Sequence, residues 1–145
     1  MKLRLFILVV AVLSLAGIVT GFFATKKQIK KELTVICTEA SKKYNRSPRE
    51  ALILQLNDDT LSVKLKSSTI WALGKLKEVK ALPDLEWFYK EYADPKNKYH
   101  NCCEELEKAI GYIKYDKTDL ISFDDFETEY NKTEQPKEKK QTKKE

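Results

Sequence analysis

The chain has a single histidine, four glycines and three cysteines, and each shortage removes a class of chemistry. His100 stands alone beside Asn101, and the sequence holds no His-Glu, His-x-x-x-His or Cys-x-x-Cys spacing. A zinc or di-iron centre therefore has too few ligands. The few glycines form no phosphate-cradling loop. Residues 116–129 are acidic, but Leu120 and Ile121 fall where a calcium loop requires an oxygen ligand and a glycine. That stretch reads as a solvated helix face. The sequence thus assigns no catalytic residue, no metal ligand, no cofactor site and no cofactor.

Charge is plentiful but unevenly placed. The net +5 comes from the two ends. Residues 1–32 carry six Lys/Arg against one Glu, and residues 131–145 carry six Lys against three Glu, which leaves 15 Lys/Arg and 18 Asp/Glu for residues 33–130. A mildly acidic middle lacks the basic stripe that marks a nucleic-acid binder, so nucleic acid is not expected as a partner. The segment 131–145 is charged, has no apolar residue and is expected to be a disordered tail.

Residues 5–24 run without a charge between Met1-Lys2-Leu3-Arg4 and the lysines at 26, 27, 30 and 31. Twenty apolar residues match the ~30 Å hydrocarbon core of a bilayer. Residues 1–25 are accordingly expected to be a single-pass membrane anchor, with a cleaved signal peptide and a secreted product as the alternative. Ser14-Leu15-Ala16 offers a small-x-small cleavage site, whereas Ile18, Val19, Phe22 and Phe23 prolong the apolar run. The lysines after the run favour a cytoplasmic domain. The short basic amino terminus favours an exported one, and export is the preferred expectation. Gly17 and Gly21 form a GxxxG pair, which points either to helix pairing or to the ordinary glycine content of membrane helices.

Beyond the run, apolar spacings of three and four predict helices only. Ile29, Leu33, Ile36, Cys37, Ala40 and Tyr44 place an amphipathic helix over 26–47. Ser47-Pro48-Arg49-Glu50 is a helix start, with Ser47 as cap and Pro48 at the first position. Further helices are expected over 61–77, 81–92, from Tyr99 through Ile113, and over 120–130. Gly74, near the end of one helix, is expected to permit close contact with the helix that follows.

The sequence also repeats. Ala72-Leu73-Gly74-Lys75-Leu76 returns as Ala109-Ile110-Gly111-Tyr112-Ile113 after 37 residues, and Leu82, Leu85, Phe88 and Tyr92 return as Leu120, Phe123, Phe126 and Tyr130 after 38. An Ala-Leu-Gly-x-Leu helix end, a short polar turn and an Ala-Leu-Pro-x-Leu helix start resemble the HEAT repeat family, in particular its short bacterial HEAT-like repeats. The resemblance covers about residues 48–130 and is strongest over 65–85, where Leu65-Lys66 stands at the family's aliphatic-Arg position. In the second copy Cys102-Cys103 fills that place, and no proline matches Pro83. The resemblance implies an all-α fold, a short HEAT-like stack or α-solenoid fragment behind an N-terminal hydrophobic helix, and a non-catalytic scaffold or adaptor that binds a protein. HEAT-like repeats also occur in iron-holding hydroxylases and chromophore lyases, but the chain has neither the His-Glu pairs of the first nor a mark of a bilin site. If second helices line the binding face, Glu86, Trp87, Lys90 and Glu91 are candidate partner contacts, with Trp71 a further one.

Two rival functions stand beside the membrane-bound adaptor. One is a thiol-dependent redox or transfer enzyme using Cys102, the residue one position round from Cys103 on the apolar face. Cys37 and Cys102 are the candidates for a disulfide if the domain is exported. The other is a self-associating structural membrane protein, a homo-oligomer driven by Gly17 and Gly21 and by an incomplete stack.

Overall fold

The computed structural model describes the backbone of residues 2–115 and 121–141, and the side chains of residues 14, 20, 21, 23–115 and 121–132. Six helices and two short 3-10 turns make up the described residues, with no strand. The fold is all-α. The chain divides into two units, Met1–Leu33 and Thr34–Glu145.

The first unit is the greater part of helix α1, Lys2–Tyr44. Within it Gln28 donates to Glu32 at 2.8 Å, an i,i+4 pair on the exposed surface. The membrane anchor expected over residues 5–24 is corrected here: among the described residues no helix is long and apolar enough to cross a membrane. The part of α1 whose side chains are described without a gap, from Phe23 onward, carries Lys26, Lys27, Lys30, Lys31 and Glu32 and so holds no apolar stretch of membrane-spanning length. The side chains of residues 5–13 and 15–19 lie outside those described, and nothing described marks a signal peptide. The single-pass membrane localisation is corrected with the anchor.

The second unit starts with the end of α1 and continues through α2 (Pro48–Leu56), α3 (Val63–Lys75), α4 (Leu82–Glu91), α5 (Cys103–Tyr115) and α6 (Phe123–Gln141). The boundaries follow from local chemistry. Asn45 takes a left-handed φ of 50°, which asparagine tolerates, and ends α1. Ser47 accepts the Glu50 N–H and Pro48 opens α2, as the sequence predicts. Ser62 accepts the Leu65 N–H at 3.3 Å, so α3 begins at Val63 rather than Leu61. At the far end Lys77 sits at φ 50° and the Glu78 N–H reaches the Leu73 carbonyl at 3.0 Å, a Schellman closure that stops the helix. The 3-10 turn Val79–Ala81 then delivers Pro83 to the first turn of α4.

The core is the layer in which α3 packs on α2 and α5, and α5 on α4. Leu52, Leu56, Ile70, Leu73, Leu76, Leu85 and Leu106 are fully buried there. α5 buries Leu106 and Ala109, while Ile110 and Ile113 are only half-buried. Ile110 lines the open cleft between α4 and α5, and ahead of α5 the 3-10 turn His100–Cys102 turns Cys102 inward in place of Cys103.

Helix α4 packs on α5, whereas helix α6 turns back toward α2. It is tied to α2 through Arg49, whose guanidinium lies 4.6 Å from the Phe123 ring centroid and bonds Asp124 at 2.6 Å and Glu78 at 3.3 Å. Phe123 and Phe126 are buried, and Tyr130 reaches the α1–α2 turn. The helical backbone of α6 extends past Tyr130 to Gln141.

Candidate functional site

Three places in the second unit concentrate chemistry: a buried lysine, a set of thiols and a cleft between α4 and α5.

Lys66 is the largest fully buried side chain of the unit. Its ammonium donates at 2.6 Å to the carbonyl of Leu56, the last residue of α2, and at 3.0 Å to the Asp58 carbonyl, which also accepts the Leu61 N–H at 3.4 Å. The rings of Phe88 and Tyr99 face it at 5.2 and 4.9 Å, and the Asp59 carboxylate stands 3.8 Å away. Burial pushes its pKa below the usual lysine value, opposed by Asp59 and Asp58. Tyr99 closes the same loop, its hydroxyl lying 2.7 and 2.9 Å from the Asp59 and Leu61 carbonyls. From outside, Lys43 and Tyr44 donate to the Asp58 carboxylate at 2.8 and 2.6 Å. Those bonds, Lys43 first, with Thr60, hold Asp58 well below the carboxylate range. The cluster is saturated and has no room for a substrate: it fixes the loop between α2 and α3.

Cys37, Cys102 and Cys103 are free thiols, the first two buried and the third partly exposed. Burial, with Glu127 nearby, pushes the Cys37 thiol up to about 12, and burial raises Cys102 as well. A raised thiol is a poor nucleophile at neutral pH. The Cys103 sulfur lies 3.1 Å from the Tyr92 carbonyl, which also meets His100 Nδ1 at 2.9 Å. The raised values give a pH prediction. Unfolded thiols ionise near 9.0, whereas folded Cys37 keeps its proton to about 12. The unfolded state then binds fewer protons, so stability falls as pH rises through that window. Lys66, lowered by burial, acts with the opposite sign below 10.5. Urea midpoints measured from about pH 8 to 11 should fall, and fall less steeply in Cys37→Ala. Parallel curves would contradict the assignment to Cys37.

The α4–α5 cleft encloses about 650 Å³. One wall is Glu86, Tyr89 and Lys90 of α4; the other is Glu107, Ile110, Gly111, Lys114 and Tyr115 of α5. Glu86 and Lys114 form an ion pair across it. Lys90 and Glu107 are exposed. Tyr115 is 78% and Tyr89 41% exposed, large aromatic surface for so small a unit.

The two repeated glycines behave differently, and this defines the cleft. A Cβ on Gly74 would lie 2.6 Å from the Ala109 Cα, so α3 and α5 touch backbone to backbone there. The close contact expected of Gly74 is thus made with α5, not with the next helix. A Cβ on Gly111 would meet nothing within 4 Å. α5 is therefore filled on its Ala109 side and open on its Gly111 side.

The sequence-predicted contacts divide over three surfaces. Glu86 and Lys90 line the cleft. Trp87, 57% exposed, and Glu91 lie on the neighbouring stripe of α4, where Trp87 meets the buried Phe88 edge-on at 4.8 Å. Trp71 is half-buried on α3. The α5 wall was missed, although Gly111 carries its signal as the repeat of Gly74. A second, polar cleft of about 510 Å³ lies at the α1–α2 turn, lined by Lys42, Arg46, Ser47 and Asn131 among others. Among the described residues no group of His, Cys, Asp or Glu is arranged to hold a metal ion.

No family model, curated protein or solved structure matches the chain.

Proposed function

We propose that this chain is a non-catalytic protein-interaction module, a short HEAT-like stack whose open end is the α4–α5 cleft. The observation that carries the reading is the contrast between Gly74, packed against Ala109, and Gly111, which faces open space. A stacking surface used once inside the chain is offered a second time at its edge. The solenoid reading is supported by the same repeat and by α3 and α4 both packing on α5. In this reading α6 is a returning cap on α2, not a further repeat. Exposed Tyr89, Tyr115 and Trp87 supply aromatic area of the kind enriched at interaction surfaces.

The test is crosslinking in intact cells, affinity capture of the tagged chain and mass spectrometry. Lys90→Glu is expected to reduce capture of a stoichiometric protein by about tenfold or more, by reversing a charge on the cleft wall. Lys80→Glu, on the 3-10 turn outside the cleft, is expected to leave it unchanged. Equal capture by wild type and Lys90→Glu would sink the assignment to this cleft.

A further inference from the structure

We infer that the occupant of the α4–α5 cleft is a second copy of this chain, docked about a two-fold axis with the two α5 helices crossing at Gly111. The inference rests on the reading of the cleft as the interaction surface and adds its partner.

Two observations lead there. The first is the distance at which a helix fits this surface. Within the chain, Gly74 lets α3 reach Ala109 so closely that a Cβ would stand 2.6 Å from its Cα. A helix that approaches Gly111 in the same way must also present a small residue at the crossing point. A second α5 does so, because under a two-fold axis Gly111 meets Gly111.

The second is the charge pattern. Glu86 and Lys114 neutralise each other within one copy. Lys90 and Glu107 remain, one on each wall, exposed and of opposite sign, with no ion pair in the described structure. A two-fold axis sets Lys90 of one copy against Glu107 of the other, and repeats the contact symmetrically. A face of two acids and two bases carries no net charge, so copies of a chain that is +5 overall do not repel each other there. A strongly acidic or basic partner would gain nothing from it. Tyr89 and Tyr115 add apolar area beside the crossing.

The patch is small. Eight residues line the cleft, against roughly 20–30 on each side of a standard interface. The association should therefore be weak and concentration-dependent, with a dissociation constant on the order of micromolar.

Sedimentation equilibrium of the full chain tests this through a charge swap. The wild type should dimerise with rising concentration. Lys90→Glu and Glu107→Lys should each weaken the dimer by about tenfold or more, since each sets like charges against each other twice. An equimolar mixture of the two variants should recover a heterodimer of wild-type affinity. In that pair the acid introduced at position 90 faces the base introduced at position 107, and the unaltered Glu107 of the first variant faces the unaltered Lys90 of the second. A monomer at every concentration, or single variants that associate as the wild type does, overturns the inference. If the chain is monomeric yet Lys90→Glu still loses a different captured protein, only the second copy is excluded and the cleft stands. If neither association nor capture responds to the swaps, both readings fail.

Discussion

Lys66→Ala should lower the unfolding free energy by about 3 kcal/mol, combining the loss of a large buried side chain with a stranded Leu56 carbonyl and an Asp58 carbonyl left to the Leu61 N–H alone. In most buried charge clusters a hydrophobic replacement removes both partners' demands at once and is often neutral. Here the acceptors are the Leu56 and Asp58 backbone carbonyls, which no side-chain substitution removes. Lys66→Met, which keeps most of the volume, should therefore still cost about 1–2 kcal/mol. Denaturant titration with a shared m-value gives both numbers. A Lys66→Met chain as stable as the wild type would show that the carbonyls do not depend on the ammonium, and that the loop is held by Tyr99 and by the Lys43–Asp58 contact alone.

The second large effect is a reversal of sign between two equivalent glycines. In a helix interior alanine is favoured over glycine by about 1 kcal/mol. Gly111→Ala should realise that gain, since its Cβ would meet nothing within 4 Å. Gly74→Ala should instead destabilise by about 1–2 kcal/mol, because overpacking against a helix backbone outweighs the propensity gain. The Ala109 atoms at 2.6 and 2.7 Å belong to its Cα and Cβ, which move only if α5 moves. Thermal or urea unfolding of the two variants reads the difference directly. Two changes of the same sign would mean that α3 and α5 are free to separate, and the contrast on which the cleft was identified would be lost.

Much of the helical architecture is written locally. Ser47-Pro48 fixes the start of α2, and Pro83 sits where a helix start should be. The apolar spacing of Leu52, Leu56, Leu73 and Leu76 marks buried faces. What sequence misplaces is decided by contacts far along the chain. Arg49 draws α6 back to α2 through Phe123 and Asp124, residues about 75 positions away. The repeat of Leu85 and Phe88 as Phe123 and Phe126 is real in the sequence, yet the second pair packs elsewhere. Periodicity reports which face is apolar and not which neighbour it meets. Lys66 is placed by the resemblance only as the counterpart of the family's Arg, and its burial against Phe88 and Tyr99 is seen only in the structure. Cys102 and Cys103 exchange exposure because one 3-10 turn shifts the register ahead of α5. The apolar run near the amino terminus illustrates a further limit. Hydropathy suggests a span over residues 5–24, but among the described residues the helix Lys2–Tyr44 holds no stretch long and apolar enough to cross a membrane.

The cleft itself was half legible. The resemblance points to α4 as a whole, and of its candidates Glu86 and Lys90 line the cleft, whereas Trp87 and Glu91 belong to the next stripe and Trp71 to another helix. The α5 wall is signalled in the sequence by Gly111 as the repeat of Gly74, but that Gly111 is open where Gly74 is packed is visible only in the structure.

The measurement that bears most directly on the central claim uses that position. Gly111→Arg fills the cleft without touching the core, since no atom lies within 4 Å of the site of its Cβ. The account predicts a folded variant, with an unfolding midpoint at or above that of the wild type, that loses crosslinked complexes in intact cells, whatever the partner. A folded Gly111→Arg chain that still forms the wild-type complexes would contradict it.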